Sequence, residues 1–378
     1  MKRISQFVTH KKELVIISLL FIFAFSVRFY VVFISGMPSI SADTYSYFDM
    51  AEKIIDGLPY SYFPNGYPLL IAGAIAVFGE GGAQNALLVF NLFASFFVVV
   101  LVYLIGKKCF GNYAAIFAMM IISFWPNQLN YTRQLLTEAP TTFLLTLSIY
   151  LLVTKKPLSA GASLWAASMF RSTISPIIFF YSFFYLRQKQ YSEFAKMLTG
   201  AVLIGGVEFL LIWNGFIARP TNAGPNFLIS IASDSISGVN YSIDQFSAEQ
   251  RASPVQTYLQ FAINEPSSFV FQRVAAFWEL WGPWPSAGSI DLPRSNLARS
   301  LIGLRFSLVV FAMLGTLWYG LGRKTLILWG PILVITLVHT MFFSTPRFTY
   351  PVEPCLALLA SLFFQELSNR MRKKDLVL

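Results

Sequence analysis

The chain is short of the residues on which most soluble chemistry relies. Among 378 residues there are 2 cysteines, 2 histidines and 18 Asp and Glu together. Cys109 closes one apolar run and Cys355 lies within another, so no disulfide and no metal-ligand spacing is expected. His10 and His339 stand alone, which excludes a His-rich zinc site, and an interhelical hydrogen bond is the role expected of His339. No Walker loop, dinucleotide fingerprint or nucleophile elbow occurs. Charge is scarce as well: 12% of residues are charged and 56% hydrophobic, with a mean hydropathy of +0.60. These values exclude an ordinary soluble domain and predict an all-α polytopic membrane protein.

The net charge of +10 does not imply nucleic acid, because the basic residues sit in short clusters between apolar runs. Lys2, Arg3, Lys11 and Lys12 precede the first run, and later clusters are Lys107–Lys108, Lys155–Lys156, Arg187 with Lys189, Arg323–Lys324, and Arg370 with Lys374. They fall at alternate span ends, which the positive-inside rule explains. About ten spans are expected, near 14–34, 84–106, 112–125, 136–153, 158–172, 174–187, 197–217, 300–321, 325–343 and 348–366. Both termini are then cytoplasmic, in a multi-pass protein of the plasma (inner) membrane. The third, fifth and sixth spans fall short of the roughly 20 residues of a simple crossing and are expected to be tilted, broken or re-entrant. The first run lacks a small-residue cleavage site and reads as a retained anchor. Residues 1–217 form a membrane module, 218–299 an extracytoplasmic cap over a cavity, and 300–378 the last spans and a basic tail.

Against the scarcity of acids, four of them (Asp43, Asp49, Glu52 and Asp56) crowd into SADTYSYFDMAEKIIDG directly after the first span. Ser41 is a suitable N-cap and Gly57 a suitable C′ residue for a helix of about four turns. Asp43 then occupies the first turn, where the helix dipole stabilises a carboxylate, and shares a face with Tyr47. A solvated amphipathic helix on the membrane surface is the plain alternative. The segment PNGYPLLIAGAIAVFG that follows is expected to dip into the bilayer without crossing it.

Ionisable residues at the outer span ends form the rest of the candidate set: Arg28, Glu138 in LLTEAP, Arg171 in MFRSTISP, and Arg347 and Glu353 in TPRFTYPVEP. Charge at membrane depth is costly, so each is a site candidate, with a structural ion pair as the alternative.

The ordered pieces RFYVVF, DTYSYFDMAEKIIDG, PNGYPLLIAGAIAVFG, VYLIGKKCFGNYAAIFAMMIISFWPNQLNYTRQLLTEAP, RSTISP and RFTYPVEPCLALLAS resemble the membrane glycosyltransferases of the C-type fold. The group most similar is that of the dolichyl-phosphate-mannose protein mannosyltransferases and lipid A aminoarabinose transferases. The resemblance implies a polyprenyl-phosphate sugar donor and a lipid, glycan or protein acceptor on the outer face of the bilayer. It implies that Asp43 is the catalytic carboxylate, Glu138 the second acid and Arg171 the basic residue before a proline. Two departures stand out: Pro64, Asn65 and Gly66 replace the family's proline-glycine pair, and the large C-terminal soluble domain of many members is missing.

Chemistry agrees with that expectation, since transfer from a lipid phosphate needs a base for the acceptor hydroxyl and cations for the departing phosphate. Asp43 is the candidate base, Arg171 and Arg347 suit phosphate, and Tyr47 and Glu353 complete the substrate-binding set. A divalent ion between acids and phosphate fits this chemistry, although no spacing demands one. A transporter or lipid flippase, or a polymerase or ligase of lipid-linked glycans, remains the alternative reading.

Overall fold

The computed structural model describes residues 2–36, 41–232, 243–282 and 296–375. Pro283, Pro285 and Pro293 of the expected cap lie outside the described residues. Among those described there is no strand.

A long first helix, α1 (Lys2–Phe33), is followed by α2 (Ala42–Ile55). Ser41 starts α2 in the manner its sequence suggests: its backbone is extended (φ −87, ψ 163), and its Oγ accepts the Thr44 N–H at 3.2 Å. Gly57, at φ +71, terminates it. The α3 element (Gly66–Cys109) joins the segment expected to dip into the bilayer to the second span, and the chain bends between them at Gly79, where φ is 69 and ψ 169. The α4 helix (Asn112–Phe124) and α5 (Pro126–Thr132) form a broken pair, because Trp125 before the proline adopts extended ψ.

Next come α6 (Glu138–Val153), α7 (Pro157–Phe170), a 3-10 turn η1 (Ser172–Ile174), α8 (Ser175–Arg187) and α9 (Tyr191–Trp213). Short helices follow: α10 (Ala223–Ile229), α11 (Ala248–Ala252), α12 (Pro254–Asn264) and α13 (Pro266–Trp281). The chain finishes with α14 (Asn296–Tyr319), α15 (Arg323–Met341), a second 3-10 turn η2 (Pro346–Val352) and α16 (Glu353–Asp375).

A helix accompanies each of the ten expected spans. By length and composition alone, four stretches among the described residues can cross a membrane: Glu13–Phe33, Gly66–Cys109, Tyr191–Trp213 and Arg323–Met341. Exposed apolar residues such as Leu203, Leu210, Leu333 and Leu337 coat these helices, the surface expected of a lipid-facing bundle. The chain is an integral membrane protein. Its core runs between α3, α4, α6, α7, α14 and α16, with Met119, Leu145, Leu164 and Leu356 fully enclosed. The α7 and α9 backbones approach so closely that a Cβ on Gly161 would strike the Met197 carbonyl, and one on Gly200 the Leu158 carbonyl.

One sequence expectation needs correcting. Among the described residues His339 makes no interhelical bond: its Nδ1 lies 3.0 Å from the carbonyl of Phe343, just beyond the end of its own helix. In the stretch 218–299, the end of α13 enters the main core through Leu280 and Trp281.

Candidate active site

Four ionisable side chains from four elements meet at one end of the bundle. Asp43, in the first turn of α2, accepts a 2.6 Å hydrogen bond at Oδ2 from Arg347 Nη2, carried by η2. Arg347 Nε lies 3.0 Å from Glu138 Oε1, close enough for an ion pair though not aligned as a hydrogen bond. Arg171 Nη2, at the end of α7, donates to the same Oε1 at 2.8 Å. The result is a chain of alternating charge, Asp43–Arg347–Glu138–Arg171, with two acids balanced by two cations.

Local sequence explains these positions. Glu138 opens α6 within its first turn, and Arg171 falls where α7 stops and the backbone extends (φ −148, ψ 106) towards η1. Arg347 follows Pro346 at the start of η2, whose prolines preclude a regular α-helix there.

Burial grades the group. Glu138 is completely enclosed and the Arg171 side chain is 9% exposed, whereas the Asp43 side chain keeps 27% of its surface open. Burying charge is costly, and an apolar set of similar volume is often as stable or more so, so such a chain is weak evidence of a stability role. Burial alone would depress the Arg347 guanidinium, but Glu138 and Asp43 outweigh it and hold its pKa well above the ordinary value. Burial, reinforced by Asp43, raises the Tyr47 phenol. Tyr47 packs between Phe63 and Tyr67 with ring centroids 5.0 and 5.3 Å away, so it supports the wall beneath Asp43.

Three buried polar atoms in the cluster make no hydrogen bond among the described residues: Glu138 Oε2, Arg171 Nη1, and Arg347 Nε, which has only its ion pair with Glu138. A buried donor beside a buried acceptor, both unused, is the kind of arrangement a polar substrate can complete.

Glu353 and Arg28 do not join this cluster. Glu353 accepts from Asn127 Nδ2 at 2.7 Å and Gln128 Nε2 at 2.9 Å, which ties α16 to α5. Arg28 is enclosed and bonds Ser95 Oγ (2.9 Å) and the carbonyls of Ala24, Ile122 and Ser123, a capping role within the bundle. Phe348 is a participant the sequence reading passed over. Its ring lies 5.0 Å from Arg171 Cζ and 5.9 Å from Arg347 Cζ, and stacks on His339 at 4.2 Å. Its place beside Arg347 in PRFTYP was the available signal. Among the described residues, no group of three or more His, Cys, Asp or Glu could hold a metal.

The family model described as dolichyl-phosphate-mannose-protein mannosyltransferase matches residues 64–213, a segment that contains Glu138 and Arg171 but neither Asp43 nor Arg347. The apo oligosaccharyltransferase of Archaeoglobus fulgidus is similar over 97% of this chain and 51% of its own, at 15% identity and a TM-score of 0.57. ArnT from Cupriavidus metallidurans, bound to undecaprenyl phosphate, is similar over 96% of this chain and 62% of its own, at 13% identity and a TM-score of 0.55. The fold is that of the C-type membrane glycosyltransferases.

A third structure with this C-type fold, the Archaeoglobus fulgidus oligosaccharyltransferase AglB with an inhibitory peptide and a dolichol-phosphate, is similar at 12% identity and a TM-score of 0.50. The present C-type chain spans about half the length of the oligosaccharyltransferase it matches. No curated protein sequence matches it.

Proposed function

We propose that this chain transfers a sugar from a polyprenyl-phosphate carrier to a hydroxyl-bearing lipid, glycan or protein acceptor. The observation that carries the reading is the Asp43–Arg347–Glu138–Arg171 chain: a partly exposed carboxylate paired with one guanidinium and joined through Glu138 to a second, which has an unused buried donor. The C-type fold supports it, as does the presence of a polyprenyl phosphate in two structures of that fold.

In this reading the bond between the sugar's anomeric carbon and the phosphate oxygen breaks, and a bond from the acceptor oxygen to that carbon forms. Asp43 takes the acceptor's proton, and the lipid phosphate leaves with the electron pair of the broken bond. Arg171 receives the phosphate through Nη1, while Glu138 holds Arg171 and Arg347 in place as negative charge develops. Tyr47 backs Asp43 from α2. The reaction takes place at the outer face of the plasma (inner) membrane, with both termini in the cytoplasm, consistent with the basic clusters at alternate span ends.

The test uses the purified full chain in lipid nanodiscs with a radiolabelled polyprenyl-phosphate sugar and a membrane extract as acceptor. Label is expected to move to an acceptor fraction that mass spectrometry then assigns. Donor that remains intact with each of several sugars and acceptor extracts would refute the reading.

A further inference from the structure

The α12–α13 hairpin lies in the stretch expected to cap the site from water, yet its contacts and its surface contradict a purely aqueous position. Its attachment to the spanning helix α15 sets its depth. At the site end of α15, the Met341 carbonyl accepts from Tyr258 Oη of α12 at 2.7 Å and from Arg273 Nη1 of α13. Further along α13, Trp281 Nε1 donates to Thr336 Oγ1 at 3.0 Å. Thr336 lies five residues before Met341, so α13 descends roughly 7.5 Å below the end of α15 at 1.5 Å per residue. There Leu280 and Trp281 are buried in the same core as Ile332 and Ile335 of α15.

The outward surface of the hairpin matches that descent. On α13, Val270, Phe271, Val274, Phe277 and Trp278 are exposed, Phe271 by 65% and Val274 by 61%, and at 100° per residue they fall within one third of the helix circumference. None of them is charged. On α12 the exposed Val255, Leu259 and Ile263 continue an apolar stripe, bordered by the exposed Gln256, Gln260 and Asn264. The polar end of α13, Pro266 to Ser268, lies away from the descending end. A stripe of this kind in water would be an aggregation surface.

We propose that the α12–α13 hairpin is bedded in the membrane leaflet on the site's side, with its apolar stripe against acyl chains and its glutamine edge towards the headgroups. Lipid is the occupant because the helix to which the hairpin is bonded at Met341 and Thr336, α15, is long and apolar enough to cross a membrane and itself exposes Leu333 and Leu337. Trp278, exposed on the stripe, is the kind of aromatic residue that membrane interfaces favour. Since α13 also packs against η2, the segment bearing Arg347 is separated from lipid by a single helix. This inference concerns position in the bilayer and stands or falls separately from sugar transfer.

The full chain is reconstituted in nanodiscs after single cysteines at Phe271, Val274 or Ile263 have been coupled to an environment-sensitive fluorophore. Glu249, exposed on α11, serves as the aqueous control, and unsubstituted protein checks that buried Cys109 and Cys355 take no label. Nitroxide-bearing lipids are expected to quench the hairpin sites several-fold more than Glu249, and aqueous iodide to show the reverse order. Iodide quenching at the hairpin equal to that at Glu249 overturns the proposal. Protection from both quenchers does so too, since a protein partner or second copy would then cover the stripe. Three positions on two helices keep the result interpretable if one variant fails to fold.

Discussion

Charge removal from the two acids of the cluster should separate catalysis from structure. Glu138 is fully enclosed, with Arg171 at 2.8 Å and Arg347 at 3.0 Å, both on Oε1. Glu138→Gln keeps the shape but leaves Arg171 without the one carboxylate it pairs with among the described residues. Breaking a buried pair by removing one partner costs about 3–5 kcal/mol. Asp43 is different: its side chain is 27% exposed, so water screens its pair, and Arg347 retains Glu138 when it is lost. The stability cost of Asp43→Asn should be at most about 1 kcal/mol. A general base, in contrast, contributes about 10² to 10⁴ in rate, roughly 3–5 kcal/mol of barrier. The two variants should therefore rank in opposite order. Thermal unfolding of purified protein is expected to fall by several degrees for Glu138→Gln and hardly at all for Asp43→Asn. Transfer per folded molecule is expected to drop at least a hundredfold for Asp43→Asn, while Asp49→Asn, on another face of α2, retains most activity. Turnover by Asp43→Asn within threefold of the parent would refute its role as base. Unchanged melting of Glu138→Gln would refute the assignment of the buried pair as the costly one.

Arg171→Lys keeps a cation for Glu138 but loses the planar fork, so the KM for donor should rise about tenfold with little change in melting. An unchanged donor KM would remove Arg171 from phosphate binding. Gly200→Val would place side-chain carbons against the Leu158 carbonyl and force α7 from α9, at a cost of about 1–3 kcal/mol. Differential scanning fluorimetry reads this directly, and a wild-type melting temperature would mean that the two helices are not in close contact.

Much of the architecture is local and therefore legible in the chain. Apolar runs long enough for a bilayer must satisfy their own backbone, which makes them helices wherever they pack. Ser41 and Gly57 bracket α2 because an N-cap hydroxyl and a left-handed glycine act within one turn. Trp125 before Pro126 breaks the third span for an equally local reason. Asp43, Glu138, Arg171 and Arg347 stand out singly for the cost of charge near a membrane.

Which of these charges meet is a different matter. Arg347 bridges Asp43 and Glu138 across separations of 304 and 209 residues, and no sequence period encodes a contact of that range. Glu353, six residues from Arg347, looked equally eligible, yet it sits on α16 beyond η2, where Asn127 and Gln128 of α5 satisfy it. Arg28 likewise spends its guanidinium on backbone carbonyls of α1 and α4. In the 218–299 stretch, composition reads as a polar cap because prolines and loops dilute its average. The depth of α13 follows from bonds to Met341 and Thr336 of a helix distant in sequence. Helix identity is written in neighbours within four residues, but side-chain pairing and membrane depth depend on how separate helices pack, and only the assembled bundle supplies that.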